Sequence, residues 1–231
     1  MILLPFRWKD EKRSFDKNTL NTSDFKKKTI FAKKIFVMCR FSEPNRQKLG
    51  NTILYIVSRA KYPYKTEILK LLFLMEERMV QQYHVPFLGI PFSVWRLGPV
   101  SVDVFEELSD GPVVLGDFIS LQFNGQGIRV TPVAGREFCD DEFSDNEIRM
   151  MEQVMVKYGD MNSEQLIAET HKEGSLWYET AKEHGLLQDF EQRRANNSNV
   201  VIDMARHLCP DDREHYEETL EIREFANSMR K

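Results

Sequence analysis

The stretch from residue 68 to 83 constrains this chain more than any other. Ile68, Leu69, Leu71, Leu72, Met75, Met79 and Tyr83 recur at helical steps and cover more than one side of the helix. A helix that is apolar around most of its girth has to be enclosed by other elements. It is therefore the centre of the fold, and the rest of the chain must supply its walls. Leu49, Ile53, Ile56, Val57 and Ala60 form the amphipathic face of a helix just before it. Tyr62-Pro63-Tyr64 separates the two, because proline is not tolerated inside a helix. Pro86, Gly89 and Pro91 end the central helix region.

Weaker signals follow. Phe92-Ser93-Val94-Trp95 reads as a short strand, and Gly98-Pro99-Val100-Ser101 reads as a turn. Val104, Phe105 and Leu108 mark a short helix, stopped at Gly111-Pro112. Ile119, Leu121 and Phe123 alternate with polar residues. After Asn124-Gly125-Gln126-Gly127, Ile128 and Val130 alternate again, which predicts a hairpin. Ser144 with Glu147 matches a capping box ahead of Ile148, Met151, Val154 and Met155. Ser163 is the expected cap of a helix carrying Leu166 and Ile167. Further helices are expected through Trp177, Tyr178 and Ala181, from Val200 to Leu208, and from Pro210 onward. The fold class is thus α+β and mainly helical. It has six to eight helices and a small antiparallel sheet inserted after the second core helix.

Charge divides the chain. Residues 1–40 hold 11 Lys+Arg against 4 Asp+Glu, a net of +7, while residues 41–231 carry −11. The arm suggests nucleic-acid or membrane contact, a floppy tail, or a true start at Met38 ahead of the patterned body. The acidic body suits phosphate backbones poorly, so nucleic acid is not its expected partner. The division expected is a basic extension over 1–40, a globular domain over 41–209 and a charged C-terminal helix over 210–231. With 42% hydrophobic and 29% charged residues, the composition excludes low-complexity and wholly disordered classes. Cys39, Cys139 and Cys209 form no CxxC pair, which excludes a zinc ribbon and a disulfide framework and fits a reducing cytoplasm. No apolar run approaches the ~20 residues of a membrane span, so a soluble cytoplasmic protein without membrane partners is expected.

Catalytic signals are sparse. Gly125-x-Gly127 lacks the third glycine of a dinucleotide loop and the Lys-Ser/Thr of a phosphate loop, so it reads as a hairpin turn. There is no HExxH and no GxSxG. No two of the five histidines stand four apart, the spacing that places two ligands on one helix face. His171 with Glu173 and the nearby cysteines is the remaining candidate for metal or nucleophilic chemistry, set against a packed core histidine. Glu76-Glu77 reads as a solvated helix shoulder and Asp140-Asp141-Glu142 as a loop. No catalytic residue, cofactor or metal is therefore expected. Trp95 and Trp177 are either interface anchors or core residues.

The ordered motifs resemble a known family. Lys70-Leu71-Leu72-Phe73-Leu74-Met75-Glu76-Glu77-Arg78, then Tyr83, then Trp95-Arg96-Leu97-Gly98-Pro99-Val100 and the short helix around Phe105 form the first part. Leu166, Thr170-His171-Lys172-Glu173 and Trp177 form the second. Together they resemble the Panacea domain of SocA-like antitoxins, a phage-associated bacterial family, over residues 49–177. The resemblance implies a non-enzymatic antitoxin that neutralises a co-encoded protein toxin by binding it. A protease adaptor for the toxin is the first alternative, and a regulator using the basic arm to bind nucleic acid is the second. Homo-oligomerisation stays open. The resemblance singles out Lys70, Leu71, Leu72, Trp95, Gly98, Pro99, Val100, His171 and Trp177 as structural or interface residues. Leu97 departs from the aromatic residue common before the glycine, and the basic arm and last helix have no counterpart in the family.

Overall fold

The computed structural model describes residues 43–229. The basic arm, the candidate start at Met38 and Cys39 lie outside the described residues. α1 (Glu43–Arg59) and α2 (Lys65–Tyr83) form the first helical pair. β1 (Ser93–Trp95) and β2 (Gly98–Val100) follow, then α3 (Val102–Glu107) and the hairpin β3 (Ile119–Asn124) and β4 (Gly127–Pro132). The C-terminal half is helical: α4 (Asp145–Tyr158), α5 (Ser163–Thr170), α6 (Leu176–Glu183), α7 (Leu186–Glu191) and α8 (Pro210–Ser228).

α2 is the axis of the core, as its girth requires. It packs against α1, α3, α4 and α5 and touches β2 and β4. Ile68, Leu71, Leu72 and Met75 are fully buried along it. It ends at His84, whose left-handed backbone (φ 56°) closes the last turn. Two antiparallel two-stranded sheets flank the helices. In the first, Val94 faces Pro99 and Trp95 faces Gly98. In the second, Asn124 faces Gly127, leaving Gly125-Gln126 as the two-residue loop. The base of this hairpin is buried at Ile119 and Val130, whereas Phe123 near its tip stands in solvent. Among the described residues, no helix is long and apolar enough to cross a membrane.

The cap of α4 forms as predicted. Glu147 N–H donates to Ser144 Oγ, and Ser144 N–H donates to Glu147 Oε2 at 2.9 Å. The same carboxylate pairs with Lys48 of α1 and ties the two helices together. α5 is capped one residue earlier than the sequence suggested. Asn162 accepts from Gln165 N–H, and the Gln165 side chain returns a bond to Asn162 N–H. Asparagine is at least as good an N-cap as serine, and glutamine at the third position completes the box.

The antiparallel strands expected after the second core helix form, among the described residues, as two two-stranded sheets. Three expectations are corrected. Gly98–Val100 is a strand and not a turn, because Trp95 and Gly98 bracket a tight two-residue reversal. Residues 200–208 do not form a helix. Val94 N–H donates to Val200 O and Ile202 N–H to Phe92 O, so the β-branched run Val200-Val201-Ile202 lies extended along β1. Glu76 is not solvated. It is 1% exposed and accepts backbone N–H bonds from Phe87, Leu88 and Gly89. A buried carboxylate is tolerated when its oxygens are filled in this way. α7 was not anticipated, as its six residues carry too little pattern.

Candidate functional site

Lys70 projects from α2 into the junction with β2 and is only 1% exposed. Its Nζ donates to Pro99 O at 2.9 Å. Burial without a carboxylate partner disfavours the charged form, and the ammonium pKa falls from 10.5 to about 7. Gly98 lets the strand come this close. Its φ is +101°, a conformation that side-chain-bearing residues rarely adopt. A Cβ there would stand 2.9 Å from both Lys70 Cε and Thr170 Oγ1.

Thr170 ends α5, and His171 follows as its C-cap. The His171 ring stacks on the Trp177 indole with centroids 3.7 Å apart and planes 11° from parallel. Trp177 Nε1–H donates to Trp95 O at 2.9 Å, which pins α6 to β1. Ser175 fixes the turn between them. Its hydroxyl donates to Thr170 O and accepts from Tyr178 N–H, so it also caps α6. His171 Nε2 is buried without a hydrogen-bond partner. Burial, aided by the nearby Lys70 charge, lowers its pKa to about 4, so the ring is neutral near pH 7.

Six of the nine motif residues therefore meet at one place: Lys70, Trp95, Gly98, Pro99, His171 and Trp177. They come from α2, the β1–β2 ribbon and the α5–α6 corner. Val100 is buried beside them. Leu71 and Leu72 point elsewhere into the core and serve packing. Trp177, 3% exposed, is a core residue. Trp95 is half-buried and packs edge-on against Phe105 at 4.9 Å. Leu97, half exposed, stands at the tip of the ribbon.

Residues 68–178 match the family model described as antitoxin SocA-like, Panacea domain. This stretch is similar to the SocA-like Panacea domain. All nine motif residues fall inside it, and so does the junction they build. No curated protein and no solved structure matches the chain.

Within the matched segment, the junction is a wedge that fixes three elements. Its polar groups mostly face one another: an amine on a carbonyl, an indole N–H on a carbonyl, and an imidazole on an indole. Glu173, the imagined companion of His171, has no part in that stacking. The metal-like grouping among the described residues is elsewhere, at the exposed Cys139, Asp140 and Asp141. Sequence reasoning missed Lys65 and Asn196, and met Arg96 and Phe105 only as parts of the motif run; all four surround the mouth of the junction. Arg96 Nε–H donates to Asn196 Oδ1 at 2.7 Å, and Arg96 N–H to Asn196 O. No spacing in the sequence links residues one hundred positions apart.

Proposed function

We propose that this protein is an antitoxin that binds a co-encoded protein toxin and silences it stoichiometrically, without turnover. The observation that carries the reading is the match of residues 68–178 to the antitoxin Panacea domain, with the family-like motif residues converging on one junction. The chemistry of that junction is in keeping with binding. Lys70 is engaged by a backbone carbonyl and His171 by an indole.

Two surfaces are suited to hold the toxin. One is the mouth of the junction, where Trp95, Leu97 and Phe105 lie. The other is α8. Its buried side packs Tyr216 and Leu220 against the core, and Arg223 donates to Phe87 O. Its outer side exposes Ile222 and Phe225, and the C-cap Met229 continues the same line at a spacing of three and four residues. Seven acidic and two basic residues share that helix, so an apolar stripe runs along an acidic ridge. Such a ridge favours a partner with a basic rim around a hydrophobic contact.

The test is co-expression. The neighbouring open reading frame should arrest growth when expressed alone and be tolerated with this protein, and the two should elute together from gel filtration. Rescue with loss of the toxin from the cell, dependent on a protease, would instead favour the adaptor alternative. A neighbouring frame that is harmless when expressed alone would remove the basis of the proposal.

A further inference from the structure

A cavity of about 290 Å³ opens at the first turn of α2, between that helix, the β1–β2 ribbon and α3. Its charge is opposite to that of the body. Three of its ten lining residues are cationic (Lys65, Lys70 and Arg96) and none is acidic, in a body that carries −11. Among the described residues, neither Lys70 nor Arg96 forms a salt bridge. Lys65 lies 4.2 Å from the Phe105 ring centroid and donates to Ser109 Oγ, with Asp110 the acid whose charge it feels. The N-cap residue of α2, Tyr64, gives no side-chain cap, so the positive end of the helix dipole adds to the same field. The walls between the charges are apolar and aromatic: Leu69, Trp95, Leu97 and Phe105.

We propose that this cavity receives a carboxylate carried beside an apolar group on the partner polypeptide, an Asp or Glu side chain next to a hydrophobic residue. The volume lies at the lower end of the roughly 300–1,000 Å³ typical of small-molecule sites, which suits one or two side chains better than a nucleotide. Lys65 and the Arg96 fork supply charge-assisted donors at the rim, with the buried Lys70 behind them, and Trp95 with Phe105 seats the apolar group. Arg96 is held ready by Asn196, so less freedom is lost on binding. Lys65, Thr66 and Asn196 lie outside the matched Panacea segment, so this chain adds its own rim to the domain's junction. The local positive cavity would select for acid at one point of a partner that the rest of the acidic body selects to be basic, which is a device for specificity.

The inference rests on the reading of the protein as a toxin-binding antitoxin, but its test does not need the toxin. The full chain is titrated with acetyl-Phe-Glu-amide, with acetyl-Phe-Gln-amide as the neutral twin, and with benzoate and inorganic phosphate as small-anion arms. The readout is the indole ¹⁵N–¹H signal of Trp95, assigned with Trp95→Phe. The Glu peptide should saturate with a Kd on the order of 1 mM and weaken as salt rises. The Gln twin should bind about tenfold more weakly or worse. Arg96→Ala and Lys65→Ala, each melting as the wild type does, should weaken the Glu peptide alone. Equal affinity for the two peptides, no saturable shift, or unchanged binding in both variants would overturn the proposal. So would phosphate binding as tightly as the peptide, which would make the site a phosphate site. Benzoate outcompeting the peptide would assign the site to a free small carboxylate and overturn the partner assignment. Because none of these results involves neutralisation, failure here leaves the antitoxin reading standing. Failure of neutralisation leaves the cavity's ligand chemistry standing.

Discussion

Replacing Gly98 by alanine tests the junction at its tightest point. The new Cβ would meet Lys70 Cε and Thr170 Oγ1 at 2.9 Å and Lys70 Nζ at 3.1 Å, closer than side-chain carbons normally come. The backbone there has φ +101°, which an alanine occupies only under strain of about 1–3 kcal/mol. Forcing a methyl into a packed site adds roughly 1–3 kcal/mol. The sum is about 2–6 kcal/mol, and at roughly 2–4 °C per kcal/mol for a chain of this size the Tm falls by about 5–20 °C. Gly111 separates the two contributions. Its φ is +104°, but nothing lies within 4 Å of where its Cβ would be. Gly111→Ala therefore measures strain without crowding and should cost about 1–3 kcal/mol. Both variants should be melted by circular dichroism and unfolded in urea. Gly98→Ala must be the more destabilised, and its toxin binding should fall only as folding is lost. If Gly98→Ala cost no more than Gly111→Ala, the close approach of strand, lysine and threonine would not be real. If it stayed as stable as wild type yet failed to bind, the junction would be the binding surface itself.

Lys70→Met should flatten the pH dependence of stability. The folded state holds this amine near pKa 7 and the unfolded state near 10.5, so the unfolded chain binds the extra proton between those values. Wild-type stability thus rises with pH across that window, with the penalty fully present below about pH 7. Urea titrations at pH 7 and pH 9 should show the wild type gaining about 2 kcal/mol more than the variant, and an equal gain would refute the buried cation. Glu76→Ala strands the N–H groups of Phe87, Leu88 and Gly89. It should cost about 3–5 kcal/mol in chemical unfolding, with Glu76→Gln costing less; a loss under 1 kcal/mol would mean that water replaces the carboxylate. Ile222→Ser with Phe225→Ser should leave Tm unchanged within a degree or two, as both side chains are largely exposed. The pair should nonetheless weaken toxin binding at least tenfold by calorimetry if α8 carries the contact; unchanged affinity moves the interface elsewhere.

What could be read from the sequence followed from local physics. The girth of α2, the capping box at Ser144 and the glycine-bearing hairpin loop are each specified within a few residues, and all three form. Lys70, Trp95, Gly98, His171 and Trp177 could be picked out as motif residues, but their meeting could not. It depends on the stacking of α5 and α6 on the ribbon, across about eighty positions of chain between Trp95 and Trp177. Glu76 was misread because a carboxylate pair on a helix is usually solvated. Only the return of residues 87–89 over the helix gives it three donors. The run 200–202 was misread for the same kind of reason. Its β-branched residues permit either state in isolation, and the exposed edge of β1 decides. Lys65 and Asn196 carry no local signature and Arg96 stands out only as part of the motif run, since what sets the three apart is the absence of acid around a shared cavity.

The central claim is stoichiometric neutralisation by binding. Its most direct test is a titration of the neighbour-encoded toxin, at fixed concentration in an assay of its own activity, with the purified full-length protein. Toxin activity should fall linearly and reach its floor near one equivalent per binding site. The inhibited complex should survive gel filtration, and longer incubation should not lower the equivalence point. Inhibition that deepens with time at sub-stoichiometric amounts would mean turnover, and it would contradict the account of this protein as a binding antitoxin.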